Sequence, residues 1–188
     1  MNIMIQERFQ RGKKQFAVLV DPDRNEEKQL IHTAQLATAA GVDLLFVGSS
    51  LLLDNGVSRC VRVLKEHCSL PVVLFPGHSI QVTAAADALL FLTLISGRNP
   101  ELLIGQQVVA APFIKRSGLE VLPTGYMLID SGAPTSASYM SQTAPIPYNK
   151  PEIAATTALA GALLGMRCIY LDAGSGAITP VSENTIAA

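Results

Sequence analysis

The chain has 188 residues, 49% hydrophobic and 15% charged, and its 14 lysines and arginines nearly balance 15 aspartates and glutamates, for a formal net charge of -1. Such a composition suits one globular domain of ordinary size with a buried core. Near-neutral charge and 5% aromatic residues leave neither the basic footprint nor the stacking rings that nucleic-acid binding needs, so nucleic acid is not an expected partner.

The opening residues, MNIMIQERFQRGKK, mix charges of both signs and lack the apolar run of a secretory signal. Residues 16–20 form a short apolar strand stopped by Asp21 and Pro22. Asn25 offers a cap for a helix reaching about Ala40, with Glu26 and Glu27 in its first turn and Gly41 closing it. A second strand, 43–47, ends in Gly48, Ser49 and Ser50, and a second helix spans 56–67 with Val57, Val61 and Leu64 on one face. The third strand, 71–75, ends in Pro76 and Gly77; residues 79–86 are too weakly patterned for a helix. Residues 88–95 read as a fourth strand buried on both faces.

A helical segment follows Pro100. Residues 119–122 and 126–129 bracket Pro123 to Gly125, so the fifth strand is either long and interrupted or a single strand preceded by a turn. Residues 131–149 are uncharged, but Gly132, Pro134, Pro145 and Pro147 make them a loop. Pro151 and Glu152 open a helix that runs to Leu164 and stops at Gly165. A sixth strand, 168–171, ends in Asp172, Ala173, Gly174, Ser175 and Gly176, and a sixth helix begins near Ser182. The uncharged run 153–166 has 14 residues, short of the roughly 20 needed to cross hydrocarbon. No membrane span is expected, and the location read from these features is cytoplasmic. A helix without charge cannot present the usual solvated face, so it is expected to be covered on more than one side, by its own domain or by a second subunit of a homo-oligomer.

Strands alternating with helices specify an α/β protein with a parallel sheet, and the polar, glycine-bearing segments fall where strands end. Active sites in such folds are built at the carboxyl ends of the strands. A (β/α)8 barrel runs to about 250 residues, so this chain reads as a single incomplete barrel domain, 1–188, with about six of eight units.

Three segments offer chemistry. Asp21 and Asp23 could hold a hard cation such as Mg2+ while phosphate supplies further oxygens, or they could be surface acids of a capping turn. Gly48, Ser49 and Ser50 add hydroxyls and backbone N–H groups. Ala173 to Ala177 could cradle a phosphate or polyol, but without the lysine of a P-loop or a dinucleotide glycine pattern they imply neither ATP nor NAD. Tyr170 and Asp172 lie two apart and project to one side, where a carboxylate with a neighbouring phenol could orient and deprotonate a substrate hydroxyl; the alternative is a satisfied strand-end acid beside a core tyrosine. Cys60, Cys68 and Cys168 show no metal or redox spacing and read as buried thiols, while His32 and His67 fall in helices and His78 in a turn.

Seven ordered segments resemble the motifs of geranylgeranylglyceryl phosphate synthases: Phe16-Ala-Val-Leu-Val-Asp-Pro-Asp23, Val47-Gly-Ser-Ser50, Phe75-Pro-Gly77, Leu94-Ile-Ser-Gly-Arg-Asn-Pro100, Gly125-Tyr126, Lys150-Pro-Glu-Ile-Ala154 and Tyr170-Leu-Asp-Ala-Gly-Ser-Gly-Ala177. The segment Tyr139-Met-Ser-Gln-Thr-Ala-Pro-Ile-Pro147 is most similar to the bacterial, Bacteroidetes-type branch. The resemblance implies a modified TIM barrel that joins a prenyl diphosphate, with geranylgeranyl as the expected chain, to sn-glycerol 1-phosphate. It assigns Mg2+ to Asp21 and Ser50. It assigns glycerol phosphate to Tyr170, Leu171, Asp172, Ala173, Gly174, Ser175 and Gly176, with Asp172 assisting the attacking hydroxyl; Tyr170 is its candidate catalytic partner from the strand spacing above. The family carries glutamate where this chain has Asp172; losing a methylene withdraws the carboxylate by about an ångström, and misplacement on that scale costs on the order of a hundredfold in rate. The chain also reads as truncated, without the family's last two units, and an open sheet edge invites association. The competing expectation is therefore a non-catalytic barrel that binds prenyl diphosphate or self-associates.

Overall fold

A computed structural model describes residues 4–10, 12–23, 25–49, 56–79 and 81–188. The expected metal ligand Ser50 lies outside these residues. The sheet has 6 strands that follow one another in chain order, and the chain divides into two compact units, Met1–Leu90 with Ala110–Leu122, and Phe91–Val109 with Pro123–Ala188.

In the first unit β1 (Ala17–Val20), β2 (Leu44–Val47), β3 (Val72–Leu74) and the start of β4 (Ala88–Leu94) pair in parallel, with Val20 opposite Val47 and Val47 opposite Leu74. Their side chains are almost wholly apolar, as the strands of a parallel sheet are, though Leu19 on β1 stays exposed. Helix α2 (Glu27–Ala39) buries Leu30, Ala34 and Ala37, and α3 (Val57–His67) buries Val57, Cys60, Val61, Val63 and Leu64. The cap of α2 is Glu26, in a reciprocal capping box with Gln29. Asn25, the expected cap, instead donates its side-chain amide to the Asp21 carbonyl at 2.7 Å.

Helix α1 (Ile5–Gln10) was not expected, because its cap comes from far along the chain. The Glu120 carboxylate accepts the N–H groups of Ile5 and Gln6, each at 2.8 Å, placing a negative charge where the helix exposes unpaired donors. Between β3 and β4 the described residues form turns rather than a helix, as the weak patterning predicts.

The second unit holds the end of β4, β5 (Glu120–Leu128) from Pro123 onward, and β6 (Cys168–Asp172), with β5 and β6 parallel. β5 is one uninterrupted strand: Pro123 forfeits a donor, but its carbonyl accepts the Arg167 N–H at 2.8 Å. After Pro100 a π-helical turn, Glu101–Gly105, leads into α4 (Gln106–Ser117). The stretch 131–149 carries more structure than a loop. Thr135 caps α5 (Ser136–Ser141) in a capping box with Ser138, and buried Ile146 bridges Ile129 in parallel. Met127, Ile129, Ile146 and Ala154 form a core that Ile95, Ala158, Ile169, Leu171 and Val181 surround. The helix predicted to begin near Ser182 is α7 (Glu183–Ala187), capped by Ser182.

Helix α6 (Pro151–Leu163) buries Ala154 and Gly161 but leaves Leu159, Leu163 and the following Leu164 60%, 82% and 76% exposed. The described residues of this chain therefore leave that face of α6 uncovered. No helix among the described residues is long and apolar enough to cross a membrane.

The ends of β2 and β3 touch through backbone. A Cβ on Gly48 would lie 1.7 Å from the Phe75 carbonyl oxygen, and a main-chain carbonyl in a sheet cannot rotate aside. Gly48→Ala is expected to destabilise the fold by about 3 kcal/mol, the upper end of ordinary overpacking, read as a fall in the midpoint of urea unfolding.

Candidate active site

Asp21 is the first residue after β1. Its Oδ1 accepts the Asp23 N–H at 3.1 Å and its Oδ2 accepts the Ser49 hydroxyl at 3.2 Å. The first bond is the Asx turn that Asp-Pro-Asp favours; the second joins the ends of β1 and β2. This donor set is oxygen only and suits a hard cation that takes one or two carboxylates and fills its remaining positions with phosphate and water. Among the described residues no group of three or more His, Cys, Asp or Glu side chains forms a self-sufficient metal cage. An ion at Asp21 would thus draw most of its ligands from substrate and water.

The end of β6 is more elaborate. Parallel register sets Tyr126 opposite Tyr170 and Leu128 opposite Asp172. Because side chains alternate along a strand, Tyr126, Tyr170 and Asp172 share one face. The two tyrosine rings stack with centroids 5.9 Å apart and planes 24° apart. The Tyr126 hydroxyl donates to Asp172 Oδ2, and the Gly174 N–H donates to Oδ1 at 2.6 Å. The phenol bonded to the carboxylate is thus that of Tyr126, while Tyr170 backs it as a stacked ring. Burial foremost, then the Asp172 charge, raises the pKa of both tyrosines, so both phenols stay protonated through the physiological range.

Gly174 has a φ of 89°, and a Cβ there would stand 2.6 Å from the Thr135 side chain, so both conformation and space require glycine. Gly176, with a φ of 80°, needs glycine for its conformation alone. Ser175 is exposed between them and Ala173 is half-buried. Leu171 packs its side chain against the core. Around this turn the Ser131 carbonyl accepts both the N–H and the hydroxyl of Thr179, at 3.3 and 3.1 Å. After β4, Ser96 accepts the Leu128 N–H at 3.0 Å and Asn99 donates to the Ser141 carbonyl at 3.2 Å.

Tyr126 is the residue whose role the sequence concealed. It belongs to the family-like Gly125-Tyr126 segment, but its tie to Asp172 depends on the β5–β6 register, which one strand's sequence does not carry. Cys60 is fully buried, and desolvation pushes its thiol up to about 12, leaving it inert. A cavity of about 220 Å³ in the first unit is lined by Val82, Ala84 and Phe113, with Arg116 stacked 4.8 Å over the Phe113 ring.

The model of the PcrB family matches residues 7–188. The geranylgeranylglyceryl phosphate synthase of Chitinophaga pinensis is 54% identical over 180 residues, covering 96% of this chain and 71% of that protein. Among solved structures, wild-type GGGPS from Thermoplasma volcanium superposes with a TM-score of 0.92 at 32% identity, over 98% of this chain and 75% of that one. (S)-3-O-geranylgeranylglyceryl phosphate synthase from Thermoplasma acidophilum, solved in complex with sn-glycerol-1-phosphate, gives the same TM-score of 0.92 at 29% identity, over 98% and 76%.

The raised pKa of Tyr126 fixes the sign of a pH effect. Its neutral form is favoured in the folded state, so that contribution to stability is full below the ordinary value of 10.0 and is lost as pH rises beyond it. Tyr126→Phe removes a bond to a charged group and should lower stability at pH 7 by about 1.5–3 kcal/mol. It should also flatten the decline in stability above pH 10.0, measured by chemical unfolding across the alkaline range.

Proposed function

The chain belongs to the PcrB family and is an enzyme of the geranylgeranylglyceryl phosphate synthase kind, and from that premise we propose that it joins the prenyl chain of a prenyl diphosphate to the free hydroxyl of sn-glycerol 1-phosphate. The observation that carries this reading is the Asp172 carboxylate, held at a strand end by the Tyr126 hydroxyl and the Gly174 N–H beside a glycine turn. Each carboxylate oxygen has two acceptor positions, so Asp172 retains capacity for a substrate hydroxyl. The Gly174–Gly176 turn offers small residues and main-chain donors to the phosphate of the acceptor. The Thermoplasma acidophilum structure, by its name a complex with sn-glycerol-1-phosphate, supports this choice of acceptor.

In the proposed reaction the acceptor hydroxyl passes its proton to Asp172 while its oxygen bonds to the first carbon of the prenyl chain. The bond from that carbon to diphosphate breaks, and diphosphate leaves with the electron pair. Tyr126 keeps the carboxylate oriented, and Tyr170 packs behind Tyr126. At the end of β1, Asp21, with Ser50 by resemblance, would hold Mg2+, which when bound supplies positive charge to the departing diphosphate. Geranylgeranyl diphosphate is the proposed donor.

The competing reading, a barrel that binds donor without turnover, draws on the shorter Asp172 side chain. A labelled-prenyl assay separates the two. Under the proposal labelled ether product forms, and EDTA abolishes it; donor bound without product at high protein concentration supports the alternative. Asp172→Asn should lower kcat by about a hundredfold or more, the range lost with a general base, with little change in KM for glycerol phosphate. The reading includes self-association through the exposed face of α6, and sedimentation as a monomer at micromolar concentration would remove that part.

A further inference from the structure

Gln81 lies in the turn segment between β3 and β4 and is only 5% exposed. Packing does not account for a glutamine there, because a buried amide costs stability unless its polar atoms are paired. They are paired in an informative way. Its backbone N–H donates to the His78 carbonyl at 3.1 Å, closing the turn. Its side-chain Oε1 accepts the Gly77 N–H at 2.9 Å, and its Nε2 donates to the Ser49 carbonyl at 3.4 Å. Ser49 in turn donates its hydroxyl to Asp21 Oδ2 at 3.2 Å. One buried side chain thus ties the turn after β3 to the turn after β2, and through Ser49 to the carboxylate after β1.

We infer that Gln81 is a positioning residue for the Asp21 carboxylate, acting through Ser49, and so sets the affinity for a divalent cation with diphosphate. The inference rests on the role of Asp21 in the proposed reaction. Gln81 touches neither substrate nor ion in this account. Its amide fixes the Ser49 main chain, which keeps the Ser49 hydroxyl on Asp21 Oδ2 and so sets the direction in which the Asp21 carboxylate faces. The backbone contact of Gly48 with Phe75 already brings the two turns together; the amide decides their relative rotation.

The test uses the full chain and two variants. Q81L removes both side-chain bonds, whereas Q81E keeps an acceptor for Gly77 and removes the donor to Ser49. Binding of inorganic pyrophosphate with Mg2+ is measured by titration calorimetry without acceptor, alongside KM for each substrate and thermal unfolding. Both variants are expected to weaken Mg2+-pyrophosphate binding by about three- to tenfold, the worth of one or two hydrogen bonds. KM for the prenyl donor should rise in parallel while KM for glycerol phosphate stays within about twofold. If Q81L fails to fold, Q81E carries the comparison. Variants that bind Mg2+-pyrophosphate like the parent, or that lose affinity for both substrates equally along with thermal stability, overturn the inference. A parent chain that makes ether product while Q81L and Q81E bind Mg2+-pyrophosphate unchanged overturns the Gln81 role alone; a parent that neither binds Mg2+-pyrophosphate nor makes product overturns the proposed reaction and this inference with it.

Discussion

The register between β5 and β6 is the constraint on which the Tyr126–Asp172 bond depends. Tyr126 stands opposite Tyr170, so its hydroxyl reaches two residues further along β6 to Asp172. A one-residue slip would carry every side chain of one strand to the opposite face and part the phenol from the carboxylate. What pins the register is apolar: Met127 and Ile129 on β5 and its continuation pack with Ile169 and Leu171 in one core. Burial of alternate residues on one face thus positions the polar residues on the other.

The first unit solves a similar problem with backbone rather than aromatic rings. Gly48 lets β2 approach the Phe75 carbonyl to a distance that any side chain would forbid, and the Phe75 N–H returns to the Val47 carbonyl at 2.8 Å. Polar groups at these strand ends then bond to one another across the turns, Asp21 to Ser49 and Ser49 to Gln81. A carboxylate so held has already given up its conformational freedom before any ligand arrives, which lowers the ordering cost of binding.

What the sequence shows and hides divides along the reach of the interactions. Asp21-Pro22 as a strand stop, Ser182 as a helix cap and the weak pattern of 79–86 are local signals, and the structure follows them. The Pro123 break was also a local signal, but pairing with a neighbouring segment overrode it: the Arg167 N–H found the Pro123 carbonyl and the strand continued. Helix α1 depends on a carboxylate at Glu120, more than a hundred residues away, and no window of the sequence contains both. The same holds for Tyr126 and Asp172, 46 residues apart, and for Gln81 and Ser49, 32 apart. Site residues whose side chains were expected to meet ligands were visible as polar side chains at strand ends, whereas those that hold them in place were not.

The aspartate at position 172 also has a physical reading beyond lost reach. Its Oδ1 receives the Gly174 N–H, two residues on in the same chain, a bond that a short side chain forms readily. The extra methylene of a glutamate would carry the carboxylate beyond that N–H and change the angle at which Tyr126 meets it. Shortening therefore exchanges extension for fixation: the carboxylate stands nearer the β6 backbone, but both oxygens are oriented by donors, Tyr126 on β5 and Gly174 in the turn after β6. In the proposed reaction a base held this way needs its substrate hydroxyl delivered to it, and the glycine turn that follows, closed by the Ala177 N–H on the Gly174 carbonyl at 3.1 Å, is the element proposed to bring the acceptor phosphate close enough for that delivery.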